Sequence, residues 1–82
     1  MTVCQLLLAN GKGYQIPVPG LGKIQVFENL SQKRVTKAVR EALRARYGEE
    51  NVKVSCAAKF VDGCWEGKCT VRGQDLEYQI SK

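Results

Sequence analysis

The dipeptide Asp62-Gly63 stands between two alternating apolar runs, and no other feature of the chain restricts its folding as tightly. Val52, Val54, Cys56, Ala58 and Phe60 occupy every second position before it, and Trp65, Gly67, Cys69 and Val71 continue the alternation after it. Asp-Gly supplies the two positive-φ positions of a two-residue hairpin turn whose twist matches that of its strands. Centring the turn there sets Phe60 opposite Trp65, Ala58 opposite Gly67, Cys56 opposite Cys69 and Val54 opposite Val71, with Lys59 meeting Glu66 on the other face. A second turn at Gly73-Gln74 sets Val71 against Leu76, Cys69 against Tyr78 and Gly67 against Ile80. Two turns placed independently thus give one continuous apolar face, which is better evidence for the meander than either turn alone. Residues 52–80 read as a three-stranded antiparallel meander. Its other face carries Lys53, Ser55, Lys59, Glu66, Lys68, Thr70, Glu77 and Gln79, the mixed charges of a solvated sheet surface.

Residues 1–28 read as a hairpin followed by a third short strand. Residues 2–8 are mainly apolar, Asn10-Gly11-Lys12-Gly13 provides a turn, and residues 14–18 return. A loop at Asn10, Gly11 and Lys12 sets Leu8 opposite Tyr14, Leu6 opposite Ile16 and Cys4 opposite Val18. Pro17 and Pro19 lack an amide hydrogen, which places the second strand at a sheet edge. Alternation around Ile24 and Val26 predicts the third strand over residues 23–28. Ser31 is positioned as a helix N-cap, with Leu30 stapling to Val35. Val35, Ala38, Val39, Ala42, Leu43 and Tyr47 then form one apolar stripe at helical spacing, and Gly48 ends a helix spanning residues 31–47. The expected fold class is α+β: a two-layer sandwich with an antiparallel sheet of five or six strands and one helix packed on one face, in the order ββ(β)αβββ. At 82 residues the whole chain, 1–82, is expected to be a single domain. The order of the two hairpins in the sheet is not fixed by these patterns.

Several chemistries lack their residues. There is no histidine, the commonest general base and zinc ligand. Gly11-Lys12, Gly22-Lys23 and Gly67-Lys68 lack the rest of a phosphate-binding loop, and Gln25 stands where a dinucleotide fingerprint would place its third glycine. Glu49 and Glu50 fall on a helix-to-strand connection, the place of solvated carboxylates rather than of an acid-base pair in a cleft. No catalytic residue, cofactor or metal is expected. Cys4, Cys56, Cys64 and Cys69 include no closely spaced pair of the kind a structural zinc site uses, so they read as small apolar core residues. Cys56 and Cys69, as cross-strand neighbours, are within reach of a disulfide, yet a cytosolic chain keeps them reduced. Cys64, beside the turn on the opposite face, is expected to be exposed and is the candidate reactive thiol. The N-terminus shows no secretory signal and no apolar run approaches a membrane span, so a cytoplasmic protein with no membrane association is expected.

The charge is confined to one element. The helical segment holds Lys33, Arg34, Lys37, Arg40, Arg44 and Arg46 against the single acid Glu41, a net charge of +5 that equals that of the whole chain, and the remainder has seven basic and seven acidic residues. Lys33, Lys37, Arg40 and Arg44 are spaced by four, three and four, one stripe roughly 16 Å long. Cations in the first turn of a helix cost about 0.3–1 kcal/mol each, and like charges four apart repel. Lys and Arg are also good helix formers, and a charged helix face is by itself unremarkable. A face that merely solubilises more often mixes signs, however, whereas this helix sets six cations against one acid. The expected function is therefore a non-enzymatic binding module, an adaptor, assembly factor or small inhibitor, docking an acidic surface of a partner protein through Lys33, Lys37, Arg40 and Arg44 with Arg34 flanking. The alternative is sequence-independent binding of duplex or structured RNA or DNA through the same helix. Phe27 is the one aromatic residue left over from the apolar faces as a stacking platform, which disfavours sequence-specific single-strand binding.

Overall fold

The computed structural model describes residues 2–18 and 26–82. Strands β1 (Thr2–Leu8) and β2 (Gly13–Val18) precede helix α1 (Gln32–Tyr47), and β3 (Val52–Val54), β4 (Lys59–Val61), β5 (Cys64–Val71) and β6 (Gln74–Ser81) follow it. All pairings are antiparallel. The sheet runs β2-β1-β6-β5-β3, with β4 also paired to β5. This is the α+β arrangement of one helix against an antiparallel sheet that the patterning predicts. The first and last strands meet at its centre, Leu6 opposite Ile80 and Leu8 opposite Tyr78. These four side chains are at most 1% exposed, and a central position gives apolar side chains neighbours on both flanks. Pro17 lies in β2, an edge strand, where a missing amide hydrogen breaks no ladder.

The helix begins where its cap requires. The Arg34 amide donates to Ser31 Oγ at 3.2 Å, and the Gly48 amide donates to the Arg44 carbonyl at 2.9 Å. Leu30 and Val35 are both buried, as a hydrophobic staple demands. Val35, Ala38, Val39 and Leu43 are sealed against the sheet, each at most 4% exposed. Burying one such aliphatic side chain contributes about 1.5–3 kcal/mol. Against that, the charge-dipole penalty of about 0.3–1 kcal/mol per first-turn cation is too small to prevent the helix.

Several local expectations are corrected. The N-terminal hairpin pairs Cys4 with Ile16 and Leu6 with Tyr14, two residues away from the register that a loop at residues 10–12 implies. The loop is instead Ala9-Asn10-Gly11. The Gly11 amide donates to the Leu8 carbonyl, and Gly11 has φ +90°. A three-residue hairpin needs its left-handed residue in third place, and Gly11 fills it only in this register. The second turn of the meander is Arg72-Gly73, both with positive φ (51° and 80°), so Cys69 faces Leu76 and Gly67 faces Tyr78. Of the strand expected over residues 23–28, residues 23–25 lie outside the described residues. Val26 is in no strand and Phe27–Asn29 form a 3-10 turn.

The meander itself is interrupted. β4 pairs with β5 as the Asp62-Gly63 turn requires, Phe60 opposite Trp65 and Lys59 opposite Glu66. β3 pairs with β5 in a different register, Val54 opposite Cys69. Residues 55–58 therefore span what Gly67 and Lys68 span on β5, an excess of two residues. Cys56 is pushed out of the ladder and does not face Cys69.

Candidate functional site

Those extra residues form a bulge beside the charged flank of α1. The Ser55 amide still donates to the Lys68 carbonyl at 3.3 Å. At the other end of the bulge, the Ala58 amide donates to Thr36 Oγ1 at 2.9 Å. Thr36, a polar residue, is buried at 8% exposed, and Ala58 is fully buried. Leaving such an amide without an acceptor costs about 1–3 kcal/mol. Thr36 therefore ties the bulge to the helix within one turn of Lys33, Lys37 and Arg40.

Between the two lies an open groove of about 690 Å³. Lys33, Lys37, Arg40 and Arg44 line one wall, and Val54, Ser55, Cys56 and Ala57 the other. The structure thus gathers the four stripe residues along one groove. Arg34, the flanking residue, is exposed but lies outside the lining. Among the described residues Glu41 is the single carboxylate there. Among the described residues the one ion pair involving the stripe joins Arg44 Nη1 to Glu49 Oε1 at 3.9 Å, and Glu49 is 84% exposed. A pair so long and so solvated is worth at most about 1 kcal/mol. Arg44 Nε is buried and has no acceptor among the described residues. The wall is a row of cations with almost no internal neutralisation.

Arg46, on the same helix, is occupied elsewhere. Its guanidinium lies 3.9 Å from the centre of the Tyr14 ring, and that of Arg72 lies 5.7 Å from the Tyr47 ring. The two phenols share a hydrogen bond, which with burial pushes the Tyr47 hydroxyl above its ordinary range. This end of the helix is held by cation–π contacts.

The cysteines separate differently from the sequence expectation. Cys64 is half-buried, whereas Cys56, displaced by the bulge, is exposed in the groove. The expectation that Cys64 is the exposed thiol is corrected: its strand continues into a three-residue pairing with β4 that partly covers it. Cys4 and Cys69 are buried, and burial pushes both thiols up, away from the reactive thiolate form. Phe27 is likewise no stacking platform. It is 6% exposed, its carbonyl accepts from Trp65 Nε1 at 2.9 Å, and its ring packs edge-on against Phe60.

Sequence patterning missed Thr36, Ser55, Cys56 and Ala57 as parts of the site. Thr36 left one signal, a polar residue directly beside the apolar stripe. The bulge left none, because residues 54–60 alternate as an unbroken strand would. Compared with models of protein families, with characterised proteins and with solved structures, the chain matches none. Among the described residues no helix is long and apolar enough to cross a membrane.

Proposed function

We propose that this protein is a non-enzymatic binding module that docks an acidic surface of a partner protein in the groove between α1 and the bulge. The observation that carries this reading is the wall itself: Lys33, Lys37, Arg40 and Arg44 line one open groove, with Glu41 the only carboxylate in it among the described residues. Holding like charges along a helix disfavours the isolated protein, and an anionic partner reverses the sign of that term. Arg40 and Arg44 are half-buried, where a bidentate carboxylate is a better acceptor than water. Its four cysteines are unpaired, in keeping with work in the reducing cytoplasm. Duplex nucleic acid would use the same charges. Among the described residues the groove lining contains no aromatic ring, which argues against stacking on single strands as the mode of binding.

The test is capture from native lysate, with and without nuclease, by the wild-type protein and by a variant with Lys33, Lys37, Arg40 and Arg44 all changed to Glu. Nuclease-resistant capture of a defined protein, lost in the variant, is expected. Nuclease-sensitive capture would put nucleic acid in its place, and identical capture by both proteins would reduce the stripe to a solvated face.

A further inference from the structure

The bulge wall offers more than shape. Among the described residues neither the Cys56 amide nor the Ala57 amide has an acceptor, while Ser55 and Ala58 on either side are bonded. Both residues are exposed and both line the groove. One wall thus carries cations, and the other includes two residues whose main-chain donors are unused and which also border the cavity lined by Leu7, Leu8 and Tyr78. A partner that satisfies both must bring carboxylates and free carbonyl oxygens together. The carbonyls of a helix are consumed by its own hydrogen bonds except in its last turn, whereas an extended chain leaves them free.

The spacing agrees. Same-face side chains of an extended chain recur about every 6.6 Å, and helix residues four apart are separated by about 6 Å along the axis. Carboxylates at alternate positions of an extended segment therefore match the spacing within the pair Lys33 and Lys37 and within the pair Arg40 and Arg44, whereas the step from Lys37 to Arg40, about 4.5 Å, is shorter than the strand repeat. About five residues of extended chain cover the stripe.

Resting on the docking reading above, we propose that the occupant of the groove is an extended acidic segment of a protein, its carboxylates on the α1 stripe and its main-chain carbonyls on the amides of Cys56 and Ala57. It is not the acidic face of a folded helix. The two-residue excess in the bulge has a role on this account: it turns a stretch of edge strand out of the ladder and frees its donors beside the cations, as bulges near binding sites do.

The probes are a capped seven-residue peptide alternating glutamate with threonine, an alanine-rich helical peptide carrying the same number of glutamates, and a labelled DNA duplex. Their binding to the full chain is followed by anisotropy and by amide NMR. The extended peptide is expected to bind more tightly than the helical one and to slow exchange at the Cys56 and Ala57 amides. Charge reversal of Lys37, Arg40 and Arg44 weakens it by more than tenfold. Ala57→Pro, which removes one donor, weakens it by about three- to tenfold, the value of one hydrogen bond. The amide readout on the unmutated protein guards against misfolding of the proline variant. Equal binding of both peptides with the two amides unmoved overturns the extended-segment proposal and leaves acidic docking standing. No salt-sensitive binding of either peptide, or tighter binding of the duplex, overturns the docking reading with it.

Discussion

A Cβ on Gly67 would collide with the ring and hydroxyl of Tyr78, its cross-strand neighbour. Tyr78 is 1% exposed and has no room to retreat. Overpacking of this kind costs about 1–3 kcal/mol, so Gly67→Ala is expected to lower the denaturant midpoint with an unchanged slope in an equilibrium unfolding curve. The same tyrosine is expected to make the protein alkali-sensitive. Burial pushes its hydroxyl up to about 12, with Cys69 adding to the rise and Thr36 opposing it. The native state therefore holds a proton that the unfolded chain releases near its ordinary value of about 10. This contribution is present in full below about pH 10 and is lost as the pH rises from about 10 to about 12, at about 1.4 kcal/mol per pH unit. Tyr78 Oη has no hydrogen-bond partner of good geometry, so Tyr78→Phe is expected to fold at neutral pH and to flatten that alkaline limb. An unchanged limb would place the titration on another group.

Elements were legible in the sequence to different depths, and the reason is periodicity. Cys4, Leu6, Leu8, Ile16 and Val18 are all buried as their alternation predicts, although the register joining them is two residues off. The second turn of the meander, at Arg72-Gly73, is off by one position, which again shifts the pairing by two. A shift of two preserves every inward and outward assignment, because the side-chain period of a strand is two. The turns themselves were less legible: Arg72 adopts φ 51°, which a non-glycine residue seldom does, and its guanidinium lies over Tyr47. The helix was the easiest element, since cap, stripe and stop agree. Its charges were legible too, and they predict a conflict between stability and binding. No acid occupies the first turn of α1, so Lys33→Glu is expected to stabilise the protein by about 0.3–1 kcal/mol through the helix dipole. It is expected at the same time to weaken partner binding. A thermal melt and a binding titration of the single variant check both signs, and a lower melting temperature would mean that Lys33 has a packing role.

For the molecule as a whole, the groove gives its own electrostatic reporter. Cys56 is exposed in the groove that Lys37, Arg40 and Arg44 line, Cys4 and Cys69 are buried, and Cys64 is half-buried. An anionic alkylating reagent is therefore expected to modify Cys56 faster relative to a neutral one of the same size, with the ratio falling toward unity as salt is raised. Charge reversal of the three basic residues is expected to bring the ratio below one. Mass spectrometry of the alkylated peptides reads it directly, and a salt-independent ratio would show that the groove lacks the field its lining implies. That groove exists only in three dimensions. The sequence by itself determined which residues turn inward, where the helix starts and stops, and that all net charge sits on it, because these follow from local periods of two and 3.6 residues and from capping chemistry. Only the tertiary structure decided that β1 and β6 share the sheet centre, that residues 55–58 leave the ladder, and that Thr36 fastens them beside the basic stripe. Those outcomes depend on which residues far apart in the chain can satisfy one another's packing and hydrogen bonds, and alternation along a strand carries no record of that.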